Sequence, residues 1–197
     1  MRGGTGLMGD DSSTQSAIIV PKPLHPGIYY IFTVDRPDYS FNAEDPIEGV
    51  NYTEVDMSLN FGLGDVVPNQ KNLHLITYDP NNALENEYKS SEKISAVVHN
   101  DGISYWVVTQ LTNKFYSFKV TQNGVETTPV ISVTPNSVPP LISNYKVNIT
   151  AIGYLKISPN GKKLAVAYSS TNLGDPVTGT KKSGKVFLYD FDNSTGK

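Results

Sequence analysis

The feature that most limits what this chain can fold into is a recurring unit: a strand end, a polar turn closed by glycine, and an apolar strand. Its clearest copy is Ser158-Pro159-Asn160-Gly161-Lys162-Lys163-Leu164-Ala165-Val166-Ala167. An echo lies upstream in His99-Asn100-Asp101-Gly102-Ile103-Ser104-Tyr105-Trp106-Val107-Val108. Glycine reaches positive φ at no steric cost, so it suits a tight reversal between antiparallel strands. Gly27, ahead of Ile28–Val34, is the third equivalent. Gly102 and Gly161 are 59 positions apart, and Gly27 lies 75 before Gly102. Loop insertions account for that irregular period.

Strand signals fill three rounds. The first runs through Ala17–Val20, Ile28–Val34, Asn51–Asn60 and Lys71–Thr77, with Val55, Met57 and Leu59 on one face of the third strand and Asp56, Ser58 and Asn60 on the other. The second comprises Ile94–His99, Ser104–Leu111, Lys114–Thr121 and Pro129–Thr134, with an Asn-Gly hairpin at Gln122-Asn123-Gly124. Tyr116, Phe118 and Val120 alternate there with Ser117 and Lys119. The third holds Ile152–Ser158, Leu164–Ser169 and Lys185–Phe191, and Asn193–Lys197 reads as a turn toward a fourth strand. The second strand of each round is apolar on both faces, the pattern of a strand covered on both sides. Asn82–Ser90 alone has helical character, and its shortness and polarity argue against a helix. Met1–Ser16 reads as a Gly/Ser/Thr-rich lead-in loop.

These rounds predict an all-β fold, a partial β-propeller of about three four-stranded antiparallel blades in an incomplete ring, at approximately 17–77, 92–134 and 150–197. A β-sandwich core would give the same doubly apolar strands. Closed propellers have about 4–8 blades, so an open arc is expected, with exposed edges that favour a fragment of a longer protein. A monodisperse, cooperatively unfolding monomer of these 197 residues would count against that.

Composition narrows the function classes. A net charge of −3 gives no electrostatic case for nucleic acid or an anionic membrane. Cysteine is absent, which removes disulfides, thiol catalysis and thiolate zinc sites. No apolar run approaches the ~20 residues of a membrane helix, and Met1–Asp11 lacks a signal-peptide core. Lys162-Lys163 and Lys181-Lys182 read as solvated turn charges.

Each motif has a bland reading that outweighs the chemical one. Gly4-Thr5-Gly6-Leu7-Met8-Gly9 matches a dinucleotide fingerprint, but no strand precedes it and Asp10-Asp11 would repel phosphate, so a flexible loop is expected. His25, His74 and His99 sit in different stretches and read as turn or strand-end residues rather than metal ligands. Asp190–Gly196 resembles a calcium loop with its glycine one place late, and reads as a strand-end turn. Of the carboxylate pairs Asp35/Asp38, Glu44/Asp45 and Glu54/Asp56, the last shares a strand face at a separation a glycosidase would allow; an exposed polar face gives the same pattern. Asn51-Tyr52-Thr53, Asn148-Ile149-Thr150 and Asn193-Ser194-Thr195 are glycosylation sequons, with chance as the default in an Asn/Thr-rich chain. No catalytic, cofactor-binding or metal-binding residue is therefore assigned. Trp106 reads as core, because it lies in a doubly apolar strand.

Several phrases carry a resemblance. They include Ser12–Pro21, Ile28–Asp35, Val55–Asn60 with Gly62–Val66, Tyr105–Val108, Ala151–Lys156 and Tyr189–Gly196. Together they resemble the N-terminal propeller-like region of large surface proteins of gliding Bacteroidota, which usually carry a C-terminal domain for type IX secretion. The resemblance implies an extracellular or cell-surface, non-catalytic repeat region associated with gliding motility and adhesion, its export signal outside these residues. It implies no cofactor and no catalytic residues. The expected partners are a protein or glycan ligand and the remaining blades of a parent chain, with Tyr and Trp as anchors and the insertions Asp35–Gly49 and Ser170–Ser183 as places for contact. The alternative is a fragment of a propeller-type carbohydrate-active hydrolase or lyase; a purely structural spacer is the third reading.

Overall fold

The computed structural model describes residues 2–36, 47–135 and 138–197. The fold is all-β, with three antiparallel sheets, none of which closes on itself. The first sheet contains β1 (Ala17–Pro21), β2 (Ile28–Val34), β3 (Val50–Asp56), β4 (Asp65–Val66) and β5 (Leu73–Leu75). The second contains β6 (Ile94–Val98), β7 (Tyr105–Leu111), β8 (Lys114–Thr121), β9 (Gly124–Val125) and β10 (Val130–Val133). The third is β11 (Gly153–Ile157), β12 (Lys163–Tyr168) and β13 (Lys185–Asp190).

The first two sheets share one plan. β4 pairs the far end of β3 at Val55 and Asp56, and β5 pairs its start at Val50–Tyr52. β9 and β10 divide β8 in the same way. Each sheet is thus four strands deep, with the outermost broken by a short excursion. The turn glycines Gly27, Gly102 and Gly161 sit between the first and second strands of their sheets, with φ of 87°, 72° and 66°.

Strand alternation puts the second sheet between the other two. One face, with Ile94, Val107, Leu111, Tyr116, Phe118 and Val120, packs into a core shared with Val20, Tyr30, Phe32, Tyr52 and Leu75 of the first sheet. The other, with Val97, Trp106, Val108 and Phe115, packs on Leu155, Ile157, Leu164, Val166 and Tyr168 of the third. β7 is buried on both faces, as its apolar run implies. β12 departs from that expectation: Leu164, Val166 and Tyr168 are buried, whereas Ala165 and Ala167 are only half-buried, because no described residue forms a sheet against their side.

Three other expectations are corrected. The third strand of the first round ends at Asp56, not Asn60; Asp56 Oδ1 accepts from the Ser58 N–H at 2.8 Å and turns the chain. Asn60 and Phe61 then adopt left-handed φ of 53° and 59°, leaving Phe61 99% exposed. Ala83–Tyr88 is a helix. Asn82 Oδ1 caps it by accepting from the Leu84 and Glu85 N–H groups at 3.1 and 3.2 Å. Tertiary partners supply what its length lacks: Glu85 holds Lys114 through both carboxylate oxygens, at 2.9 and 3.0 Å, and Tyr88 is buried.

The third correction concerns the N-terminal segment, which is a strap fastened to the protein rather than a flexible loop. Gly3 N–H donates to Asp65 at 2.6 Å, Met8 N–H to Asn72 at 3.0 Å and Asp10 N–H to the Val34 carbonyl at 3.3 Å. Gln15 ends the strap where the first strands of the sheets meet. Its Oε1 accepts from Ile94 N–H (3.2 Å) in β6 and Leu155 N–H (2.8 Å) in β11, and its Nε2 donates to the Leu155 carbonyl at 3.2 Å.

Candidate functional site

An open groove of about 330 Å³ lies at the turn end of the first and second sheets and is lined by both. The β1–β2 turn supplies Pro21, Pro23, Leu24, His25 and Pro26, and β2 adds Tyr29. The β6–β7 turn faces it with Gly102 and Ile103, and Tyr105 forms the inner wall. Proline fixes φ, so the first wall is stiff before anything binds. Hydrogen bonds from Lys22 N–H to the Ile28 carbonyl (2.9 Å) and from Ile28 N–H to the His25 carbonyl (3.2 Å) close it. Across the groove, Asp101 Oδ1 accepts from the Ile103 and Ser104 N–H groups, both at 2.8 Å. Leu24 is 66% exposed and Ile103 49%, so both present apolar surface to solvent. The volume lies at the low end of ligand sites, about 300–1,000 Å³.

A second polar cluster is buried. Ser90, Ser91, Glu92 and Lys93 are all buried immediately before β6. Lys93 Nζ donates to the Thr150 and Ala151 carbonyls at 2.7 and 2.8 Å and lies 4.6 Å from the Tyr168 ring centroid. Burial pushes its ammonium down to about 7, against the opposing pull of Glu92. Glu92 accepts from the Thr14 N–H at 2.8 Å and from the Thr14 hydroxyl. Gln110 Nε2 donates to Tyr168 Oη at 3.0 Å. With Lys93 at 0% exposure, this cluster ties the start of β6 to the Thr150–Ala151 turn ahead of β11.

The sequence motifs fall in separate places. Glu54 pairs with Lys22 at 3.1 Å, and Asp56 holds the Ser58 turn. Asp35 accepts from the Arg36 and Glu48 N–H groups, and its carboxyl is raised by burial and by nearby Asp10, with those donors opposing. Asp38, Glu44 and Asp45 lie outside the described residues. His25 lines the groove; His74 lies in β5, its ring 6.1 Å from that of Tyr78; and His99 Nδ1 accepts from Asp101 N–H at 2.9 Å. Among the described residues no group of three or more His, Asp or Glu stands ready to hold a metal. Lys163 pairs with Asp190, while Lys162, Lys181 and Lys182 are exposed.

Trp106 is 5% exposed and belongs to the core between the second and third sheets. Its Nε1 donates to the Asn193 carbonyl at 2.9 Å, and Ser117 Oγ donates to the Gly196 carbonyl at 2.7 Å, so the Asp192–Gly196 turn clamps the third sheet to the second. Within that turn Asp192 accepts from Ser194 and Thr195, the hydrogen bonds of a strand-end turn. The sequon asparagines are also occupied. Asn51 Nδ2 donates to the Glu48 carbonyl at 3.1 Å, Asn148 Oδ1 accepts from Thr150 at 2.9 Å, and Asn193 Nδ2 donates to the Val98 carbonyl at 3.1 Å.

Sequence reasoning missed the groove and the Lys93 cluster. Three prolines within Pro21–Pro26 were one signal, and the charged pair Glu92-Lys93 directly before an apolar strand was the other. No protein family, no curated protein and no solved structure matches this chain.

Proposed function

We propose that this chain is a non-catalytic binding or scaffold module, an arc of a β-propeller in a secreted or cell-surface protein, that engages a partner protein through the groove between its first two sheets. The observation that carries this reading is the groove itself: a proline-stiffened wall facing an Asp101-braced turn, with Leu24, Ile103 and Tyr29 presented outward. Its apolar, open lining suits a protein surface more than a sugar, whose hydroxyls need polar partners at close range.

The propeller reading draws support from the stacking of sheet on sheet, from first strands that meet near Gln15, and from outermost strands on the far side. The exposed face of the third sheet, with Val186 at 71% and Leu188 at 68%, suits a further sheet. Placement at the surface of a gliding bacterium rests on the sequence resemblance.

The test is a protein and glycan array probed with the wild-type chain and with Leu24→Asp/Ile103→Asp. Burying two such side chains contributes roughly 1.5–3 kcal/mol each, so the double variant loses at least about 100-fold affinity for its protein partner. Binding that survives the double substitution, or that is confined to glycans, refutes the reading.

A further inference from the structure

We propose that a small polar cavity between the second and third sheets is a binding site for one water molecule, which accepts two hydrogen bonds and donates two. The site is part of the fold's interior and does not depend on the groove.

The cavity lies where three stretches of chain meet. Gln110 comes from β7 and Tyr168 from the end of β12. Asn148 caps the short 3-10 helix Ile149–Ala151 ahead of β11, and Thr150 lies within it. All four are buried, at 3%, 5%, 2% and 6% exposure respectively. Val138, a member of the core between these sheets, completes the wall. The space left between them is about 10 Å³. A water needs roughly 10–15 Å³ of such space, so one molecule fits and no larger ligand does.

Donors and acceptors around the cavity identify the occupant. Gln110 Nε2 donates to Tyr168 Oη at 3.0 Å and to the Thr112 carbonyl, while no described residue donates to Gln110 Oε1. Asn148 Oδ1 accepts from the Thr150 hydroxyl at 2.9 Å, and Asn148 Nδ2 has no acceptor among the described residues. The Tyr168 hydroxyl accepts from Gln110, and its own hydrogen likewise meets no described acceptor. The Thr150 hydroxyl gives its hydrogen to Asn148 and keeps lone pairs to accept with. Buried polar groups are normally hydrogen-bonded, so these four call for a partner. Two donors, Asn148 Nδ2 and Tyr168 Oη, with two acceptors, Gln110 Oε1 and Thr150 Oγ1, are the complement of one water. A cation would meet both donor hydrogens, with the Lys93 ammonium already 4.6 Å from the Tyr168 ring centroid. Common anions are too large for the space and would face Gln110 Oε1. The water therefore extends the direct Gln110–Tyr168 contact between the sheets to the Asn148–Thr150 turn.

The probe is water itself, read on the full chain by oxygen-17 relaxation dispersion, which exchanging hydroxyl protons do not mimic. Val138→Ile and Val138→Leu each send one more methylene toward the cavity in a different shape and alter none of the four hydrogen-bonding groups. The expected result is the loss of one long-lived water per chain relative to wild type. The folded-to-unfolded ratio in urea should fall at least about fivefold, because the four groups lose their partner. In the wild type a nuclear Overhauser cross-peak joins water to the Asn148 Nδ2 hydrogens, with the rotating-frame sign of a dipolar contact rather than of exchange. If neither variant folds, that wild-type cross-peak decides alone. An unchanged water count in a folded variant, a variant more stable than wild type (the gain that filling a dry cavity gives), an absent cross-peak, or a wild-type urea midpoint raised by millimolar sodium or potassium would each overturn the proposal.

Discussion

Replacing Lys93 by methionine should abolish the pH dependence that this side chain imposes on stability. The folded chain holds the Lys93 ammonium at 0% exposure, and burial brings its pKa down from 10.5 to about 7. Between those values the unfolded chain binds a proton that the folded chain does not. Stability therefore rises with pH across this window, is flat below about 7 where both states are protonated, and is flat again above about 10.5. At about 1.4 kcal/mol per unit, the whole span is worth at most ~5 kcal/mol. The Thr150 and Ala151 carbonyls and the Tyr168 ring favour the ammonium and bring the figure toward ~3 kcal/mol. Lys93→Met keeps the volume and removes the charge but leaves the buried Thr150 carbonyl without a donor, at about 1–3 kcal/mol, whereas the Ala151 carbonyl keeps the Glu92 N–H at 3.2 Å. The assay is urea unfolding of both chains at pH 6, 7, 8, 9 and 10. The stability of the variant relative to wild type should be greatest at pH 6–7 and fall steadily to pH 10, where wild type is the more stable. Tyr116 and Tyr168 are raised by burial, so their ionisation stays above this window and cancels in the difference. A difference that is constant from pH 6 to 10 refutes the reasoning.

Other perturbations read different parts of the structure. Gln15→Ala removes three hydrogen bonds linking the strap to β6 and β11 and should cost about 3 kcal/mol in urea unfolding; a loss below 1 kcal/mol would mean that the strap does not tie the sheets together. Gly196→Ala sets a Cβ 2.9 Å from Trp106 at a φ of +76°, so about 2–4 kcal/mol should be lost, with a shift in tryptophan emission; an unshifted spectrum would deny the clamp. Glu85→Gln weakens the pair with Lys114 and should raise exchange of the Ala83–Tyr88 amides before the sheets open, whereas simultaneous opening would show that the helix does not depend on that pair.

Much of the secondary structure was legible because strand alternation and turn chemistry are local. Tyr116, Phe118 and Val120 face one core together, and the turn glycines sit at positive φ between the strands they were read to join. The Asn51–Asn60 alternation misled at its end, because an Asp56–Ser58 turn is as compatible with that pattern as a longer strand. The Ala83–Tyr88 helix was discounted for good local reasons, and only the distant partners of Glu85 and Tyr88 overturn them.

The sequence by itself determined the class of the fold: turn glycines, alternating faces and a doubly apolar β7 leave little besides stacked antiparallel sheets. Only the tertiary structure decided the roles of polar residues. It turned Gln15 into a two-strand clip, buried Lys93 against two carbonyls, gave the sequon asparagines hydrogen-bond partners, and set the prolines of one turn across from Ile103 of another. The physical reason is that apolar burial follows a short period along the chain, whereas a polar side chain takes its meaning from whichever donor or acceptor folding brings beside it.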